Sequence, residues 1–323
     1  MKAVIMAGGF GTRLRPLSNA IPKPMIPMAN KPMMEHIVDL LRRHGITDLV
    51  TLLHFQPALI ENHFRDGSAF GVKMTYVSAV EDYGTVGAVK NAAACLDGPF
   101  LVISGDVLTD FELGAAIAFH RDRNADLTIL LTRVENPLQY GVVITDPDGR
   151  ISRFLEKPTW SEVFSDTVNT GIYVLEPSVL DLIPPRREFD FSKDLFPLMM
   201  REGRRLYGYV AEGYWRDVGD LMEYRLAHQD ILAGRVRVQI PGRKVEGRYA
   251  VEPTAFFIHG AMHRSKPSAK CVLHTHMPYA TTLTVVHGGR LEWASQNSLK
   301  FRGRVAYDDN YNGLALDEAE GER

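Results

Sequence analysis

The residues of this chain best suited to handling phosphate are a loop crowded with glycine and a lysine held between two prolines. The loop runs Gly8-Gly9-Phe10-Gly11-Thr12-Arg13-Leu14-Arg15-Pro16, and the lysine is Lys23 in Pro22-Lys23-Pro24. Glycines let backbone N–H groups close round a triphosphate as an anion nest. Arg13 and Arg15 add positive charge. The spacing is neither that of the Walker loop, which needs Gly-Lys-Ser/Thr, nor the usual dinucleotide fingerprint. A tight structural turn explains the glycines alone equally well. The Thr-Arg pair and the proline-bracketed lysine weigh the loop towards phosphate.

Other candidates are weaker when taken singly. Asp106 follows the apolar run Phe100 to Ser104, and Asp217 sits in Trp215-Arg216-Asp217. At a strand end a helix cap or a turn is the commoner use of aspartate, and that is the role expected of Asp110. Glu156-Lys157-Pro158 leaves a strand, where an exposed charged pair is the plainer explanation. Tyr140-Gly141 fits a bulge or turn. Gly84, Thr85 and Gly87 precede a helical run and suit a plain helix N-terminus.

The elements that must position these residues alternate. Lys2 to Ala7 is a short apolar run ended by glycine, as expected of a parallel strand buried on both faces. Pro32 to His44 has helical spacing stopped by Gly45. Strands are expected over Leu49 to Leu53, Val72 to Val77, Phe100 to Ser104 and Leu127 to Val134. Helices are expected over Pro57 to Arg65, Val86 to Leu96 and Leu113 to Arg123. That order argues for an α/β domain with a mostly parallel central sheet. Short strands follow at Gly141 to Thr145, Ile151 to Leu155, Gly171 to Leu175 and Leu206 to Val210, and suggest an antiparallel extension walling a pocket. Phe191 to Arg201 and Leu221 to Leu232 are expected helices, and Tyr207 to Trp215 is strand-like. Asp106 and Asp217 would then both face the carboxyl edge of the sheet.

Taken together, the phosphate loop and Lys23 resemble the signature of the sugar-phosphate nucleotidyltransferases, or nucleotide-sugar pyrophosphorylases. Gly84-Thr85-Val86-Gly87, Ser104-Gly105-Asp106, Phe154 to Pro158, Asn169-Thr170-Gly171 and Tyr214 to Gly219 agree in order. Phe189 to Leu198 and Leu206 to Gly219 look closest to the bacterial mannose-1-phosphate guanylyltransferase branch. The resemblance covers about residues 1–245 and implies a Rossmann-like, GT-A-like fold. It implies synthesis of a nucleotide sugar and pyrophosphate from an NTP and a sugar 1-phosphate, with GTP and mannose 1-phosphate favoured. The alternatives are glucose 1-phosphate with UTP or dTTP, or a non-catalytic sugar-nucleotide sensor. By the same resemblance Arg13 and Lys23 are catalytic. Gly8, Gly9, Gly11, Thr12, Gly84, Thr85 and Gly87 bind the nucleotide. Gly141, Glu156, Lys157, Asn169 and Thr170 bind the sugar phosphate, and Asp106 and Asp217 bind Mg²⁺.

The last part of the chain reads differently. Residues 1–234 form the expected transferase domain, 235–250 a linker or the start of a β-helix, and 251–323 something else. Phe257-Ile258-His259-Gly260, Val272 to Ala280 with His274-Thr275-His276, and Tyr311-Asn312-Gly313 resemble part of the class II aldolase/adducin family. In that family the His-x-His pair holds a divalent metal. Here a third histidine has no counterpart before Arg323, and Ala255 stands where many aldolases carry an acid. Two ligands rarely complete a zinc site, so an inert fragment or a chimera is expected.

Composition excludes several classes. The 323 residues are 45% apolar and 24% charged, so a buried core is affordable and global disorder is not expected. A net charge of -2 asks for no nucleic acid. The two cysteines, Cys95 and Cys271, make no disulfide framework, which suits a reducing cytoplasm. No apolar run is long enough for a membrane span, and Met1 to Ala7 lacks a signal-peptide pattern.

Overall fold

Ala3, Val4 and Ile5 are fully buried in strand β1, Lys2–Met6, and they alternate between two different cores. Ala3 and Ile5 pack in one apolar cluster and Val4 in the other. A strand buried on both faces needs helices on both faces, and the computed structural model has them. It describes residues 1–240, apart from 20, 79–80, 82 and 160–164. The expectations for the tail, including His259, His274 and His276, lie outside the described residues, as does the remainder of the unit Arg243–Arg323.

Four parallel strands form the centre. β1 lies between β4, Asp48–Leu53, and β6, Phe100–Ser104, and β5, Lys73–Ser78, flanks β4. Two short strands, β2 (Pro27–Met28) and β3 (Lys31–Pro32), make a separate hairpin before the first helix. Helices α1 (Met33–Arg43), α2 (Pro57–Phe64) and α4 (Leu113–Asp122) cover one face. Helix α3 (Gly84–Asn91) and α5 (Phe196–Arg201) cover the other. The chain runs outward from β1 through β4 and β5, then crosses to β6 on the other side of β1. This reversal opens a crevice at the carboxyl ends of β1 and β6, the place where open α/β sheets bind ligands.

The later strands extend the same sheet. β11, Thr167–Leu175, pairs antiparallel with β6 and with β8, Leu127–Arg133. β9, Gly141–Thr145, and β10, Ile151–Glu156, continue it antiparallel. β12, Leu206–Val210, departs from the expected antiparallel arrangement and runs parallel to β8.

Three expected elements need correction. The third helix begins at Gly84, where the carbonyl of Phe189 accepts from the N–H groups of Val86 and Gly87 and caps its first turn, and it ends at Asn91, before a short 3-10 turn at Ala93–Cys95. Phe191 to Leu195 is a π-turn, started by Asp190 capping the N–H groups of Ser192 and Lys193, and only then does α5 begin. Tyr207 to Trp215 is not one strand. After β12 the chain leaves the sheet, and β13, Trp215–Asp217, pairs with β7, Val107–Thr109, in a separate two-stranded ribbon. The last described helix, α6 (Leu221–Leu232), starts at Asp220, whose carboxylate caps Met222 and Glu223. A third apolar cluster packs Leu14 of the glycine loop with Ile26, Leu108, Val218, Ala227 and Val236. Loop, ribbon and α6 therefore share one small core under the crevice.

Candidate active site

The glycine loop leaves β1 and turns back at Gly11, which has φ +64°. A Cβ there would stand 2.9 Å from Cβ of Lys23, so glycine lets the lysine stem pass against the loop. Lys23 is 6% exposed, and only its ammonium reaches the crevice. Nζ donates to Asp106 Oδ2 at 2.5 Å and lies 3.8 Å from Asp217 Oδ1. Ser104 Oγ donates to the other Asp106 oxygen at 2.5 Å.

The two aspartates meet because of the ribbon. Asp217 is opposite Val107, the neighbour of Asp106. Burial would raise the Asp106 carboxyl, but the Lys23 ammonium and the hydrogen bonds from Lys23 and Ser104 outweigh it and hold its pKa low. Burial and then the negative charge of Asp106 push Asp217 upward. Arg13 completes the cluster. Its side chain lies along Gly219, where a Cβ would stand 3.3 Å from Arg13 Nη2 and 3.3 Å from Asp217 Oδ2.

This cluster fits a divalent cation. The space beside both carboxylates already holds one positive charge, the Lys23 ammonium. Mg²⁺ takes one or two carboxylates and completes its shell with water and phosphate oxygens. Among the described residues no group of three or more His, Cys, Asp and Glu is assembled, so a closed all-protein site is not built here.

Two cavities meet at this point. One, of about 270 Å³, is lined by Arg13, Lys23, Tyr140, Gly141, Glu156, Asn169, Thr170, Trp215 and Asp217. The other, of about 400 Å³, is lined by Gly8, Gly9, Phe10, His54, Glu81, Gly84, Thr85 and Asp190 over an apolar floor of Met6, Leu52, Val77 and Ala88. Ser104 and Asp106 belong to both.

The residues expected from sequence are distributed unevenly over these cavities. Arg13, Lys23, Asp106, Asp217, Gly141, Glu156, Asn169 and Thr170 line the first. Gly8, Gly9, Gly84 and Thr85 line the second. Gly11, Thr12, Gly87 and Lys157 line neither. Lys157 is exposed, with φ +45° and its N–H bonded to the Tyr140 carbonyl. Thr170 enters only through its backbone. It is 1% exposed, its hydroxyl donates to Leu130 O at 2.7 Å, and its carbonyl accepts from the Trp215 indole at 3.0 Å. The Asn169 side chain is braced between the Tyr173 hydroxyl and the Gly171 N–H. Gly84 and Gly87 are glycine for a packing reason. Cβ atoms there would stand 2.7 Å from Phe189 O and 3.0 Å from Arg187 O.

Several lining residues were missed in the sequence. Ser104 and Trp215 each lie two residues before a candidate aspartate, which is the one signal that marks them. Phe10 sits inside the glycine loop and Asp190 inside the stretch Phe189 to Leu198, whereas His54 and Glu81 carry no such mark. Asp110 is structural but neither caps a helix nor makes a turn: it is 4% exposed and accepts from the N–H groups of Tyr214 and Arg237, more than a hundred residues along the chain.

The comparisons with known proteins agree with this architecture. The sequence profile described as "Nucleotidyl transferase" matches residues 2–234. The chain belongs to the nucleotidyl transferase family. Its relatives include a UTP–glucose-1-phosphate uridylyltransferase of Synechocystis, 40% identical over 260 residues, covering 76% of this chain and 67% of that protein. A mannose-1-phosphate guanylyltransferase of Mycobacterium tuberculosis is 36% identical over 267 residues, covering 80% and 74%. Among solved structures, HddC from Yersinia pseudotuberculosis complexed with GMP-PN superposes with a TM-score of 0.62 at 27% identity, covering 71% of this chain and 99% of that one. The nucleotidyl transferase match stops within a few residues of α6. A second profile, "Class II Aldolase and Adducin N-terminal domain", matches residues 227–322, in keeping with the resemblance expected of the last part of the chain. The sugar-phosphate nucleotidyltransferase activity of the family is supported, and the relatives divide over base and sugar. Among the described residues no helix is long and apolar enough to cross a membrane.

Proposed function

We propose that this nucleotidyl transferase joins GTP to mannose 1-phosphate, giving GDP-mannose and pyrophosphate. The observation that carries the reading is the seam: two cavities share Ser104 and Asp106, with Lys23 and Asp217 beside them. A nucleotide in the larger cavity and a sugar phosphate in the smaller would bring their phosphates together there. A sugar-phosphate oxygen attacks the α-phosphorus, the new P–O bond forms in line, and the bond to pyrophosphate breaks with its electron pair leaving on pyrophosphate. No side-chain nucleophile is required. The protein must bring two anions together and hold them aligned.

Arg13 and Lys23 offset the negative charge on the triphosphate and on the departing pyrophosphate. Gly8 and Gly9 let the backbone come close to the phosphates. Asp106 and Asp217 would hold Mg²⁺, which would offset the negative charge of the phosphates. Glu156 accepts from sugar hydroxyls beside Gly141, where a Cβ would stand 2.9 Å from Glu156 Oε2, and Trp215 forms the wall. Residues 1–234 carry this chemistry, with 235–250 as connection and 251–323 as a separate segment without a catalytic part in it. A cytoplasmic setting follows from the same substrates.

Base choice turns on the hydrogen-bonding edge that the larger cavity can meet. Guanine presents an N–H and an amino group on one edge, whereas uracil and thymine place one N–H between two carbonyls. The carboxylates of Glu81 and Glu188 at the larger cavity suit the donor edge. The Synechocystis relative favours glucose 1-phosphate with UTP as the second reading. Pyrophosphate release measured over a matrix of GTP, ATP, UTP and dTTP against mannose, glucose and galactose 1-phosphates tests both. Fastest turnover with GTP and mannose 1-phosphate is expected. Preference for UTP with glucose 1-phosphate would replace the first reading, and no release with any pair would end the catalytic one.

A further inference from the structure

The ribbon that brings the two aspartates together, Asp106 just before β7 and Asp217 at the end of β13, is an unusual place for a precise site. β7 and β13 have three residues each and, among the described residues, no third strand beside them. Isolated two-stranded ribbons are marginally stable, and a slip of one residue turns every side chain to the opposite face. A slip in β13 would carry Asp217 away from Asp106. Something outside the ribbon has to fix its register.

The far end of the ribbon shows what does so. Asp110, just beyond β7, donates its N–H to Tyr214 O at 3.1 Å and accepts the Tyr214 N–H on Oδ1 at 2.7 Å. Its other oxygen accepts the backbone N–H of Arg237 at 2.7 Å and Arg237 Nε at 3.3 Å. Arg237 Nη2 also donates to the Asp110 carbonyl at 3.2 Å and to Glu112 at 3.1 Å. A second tie runs along the outer side chains. Arg235 donates to Asp230 at 2.6 Å, and the other Asp230 oxygen accepts from the Tyr214 hydroxyl at 2.7 Å and from Arg216 at 3.0 Å. Arg216 is the neighbour of Asp217 and is held again by Glu223 at 2.5 Å. Val236, between the two arginines, is buried in the core shared by Leu108 and Val218.

We propose that Asp110 and Arg237 are positioning residues for the metal-binding pair: they lock the register of the β7–β13 ribbon and so hold Asp106 and Asp217 together. The inference rests on the assignment of those two aspartates as metal ligands under the proposed function. It also extends the working transferase past residue 234, where the family match ends, to the segment 235–238. These arginines act through the ribbon, and neither Asp110 nor Arg237 lines either cavity.

The test is Mn²⁺ binding to the full chain, followed by the electron paramagnetic resonance signal of free Mn²⁺. The Arg237 side chain is 62% exposed, so Arg237→Ala is expected to fold, and the thermal midpoint checks it. Asp110→Asn is the partner variant, because it keeps the shape of a buried group. Both should weaken Mn²⁺ by roughly ten- to a hundredfold, the usual effect of removing a group that supports a metal ligand. Arg237→Lys, which can still pair with Asp110, should recover part of the loss. Arg133→Ala, which breaks an exposed ion pair to Asp166 of 2.6 Å elsewhere on the sheet, should change nothing. Unchanged Mn²⁺ affinity in the folded Arg237→Ala and Asp110→Asn chains would overturn the proposal, as would an equal loss in Arg133→Ala or a wild-type chain that binds no Mn²⁺. A chain showing the expected Mn²⁺ pattern but releasing no pyrophosphate would keep the clamp and remove the transferase reading.

Discussion

The two cavities that share Asp106 are built by opposite means. The smaller one is a set of side chains held in advance by other side chains and carbonyls: Lys23 on Asp106, Ser104 on Asp106, Trp215 on Thr170, Asn169 on Tyr173. The larger one is glycine backbone, an apolar floor and a few rim residues. Charge has to be placed to a fraction of an ångström for phosphoryl transfer, whereas a flat base needs area and a few hydrogen-bonding groups. Substitutions at the seam should therefore act on turnover, and substitutions in the larger cavity on affinity.

The largest effect should come from the seam. Lys23→Ala and Arg13→Ala should each lower turnover by about a hundredfold or more, on the order of 3 kcal/mol for one lost electrostatic stabiliser. Pyrophosphate release with a circular dichroism check on folding measures it, and near wild-type turnover in Lys23→Ala would break the comparison at its centre. Next is the pairing of the aspartates. Asp106→Asn and Asp217→Asn should be far from additive, with a coupling on the order of 2–3 kcal/mol, because either change would damage the one metal site proposed for both. A double-mutant cycle across an Mg²⁺ titration reads it. Additive losses with an unchanged Mg²⁺ requirement would make one aspartate a plain cap.

The support of the seam side predicts a pH effect on stability. His36 is buried on α1, its Nε2 meets the Met28 carbonyl at 2.9 Å, and its Nδ1 has no hydrogen-bond partner. Burial pushes its pKa down from 6.5 to about 4. The unfolded chain takes up a proton that the folded chain refuses, so this contribution is full above pH 6.5 and is lost as pH falls towards 4. Unfolding by urea at pH 7 and pH 5 should show roughly 2 kcal/mol of this kind, and His36→Gln should flatten the difference. If the slope survives in His36→Gln, other groups produce it.

Smaller effects belong to the larger cavity. Phe10 is half exposed at its mouth and packs edge-on to His54 at 5.6 Å. Phe10→Ala should raise KM for the NTP roughly tenfold, within the worth of one base–aromatic contact, and leave kcat near wild type. A fall in kcat instead would erase the distinction between the two cavities. The smallest effect is expected from the tail: a chain stopped at Gly247 should keep pyrophosphate release, because every proposed catalytic group lies before residue 220.

The same contrast explains what could be read from the sequence. β1, the glycine loop and Lys23 were legible because a doubly buried strand, a loop and a charge each leave a local pattern. Asp106 and Asp217 were legible as residues but not as a pair made by a ribbon, since three-residue strands have no periodicity to detect. Thr170 carried a family expectation that its own side chain does not serve, because β11 turns that hydroxyl towards Leu130. His54 and Glu81 contribute through position alone, and position is set by how β1, β4 and the segment after β5 end together.

Gly84 and Gly87 have a practical consequence. The first turn of α3 is capped by a carbonyl from a segment about a hundred residues later, and Thr85 is tied to Asp190 at 2.8 Å. The wall of the larger cavity is thus a two-piece part. A swap of residues 84–91 between family members, made to alter base preference, would leave the imported turn facing a foreign backbone at 187–191. Exchangeable units for redesign are therefore the two segments together, moved as one cassette.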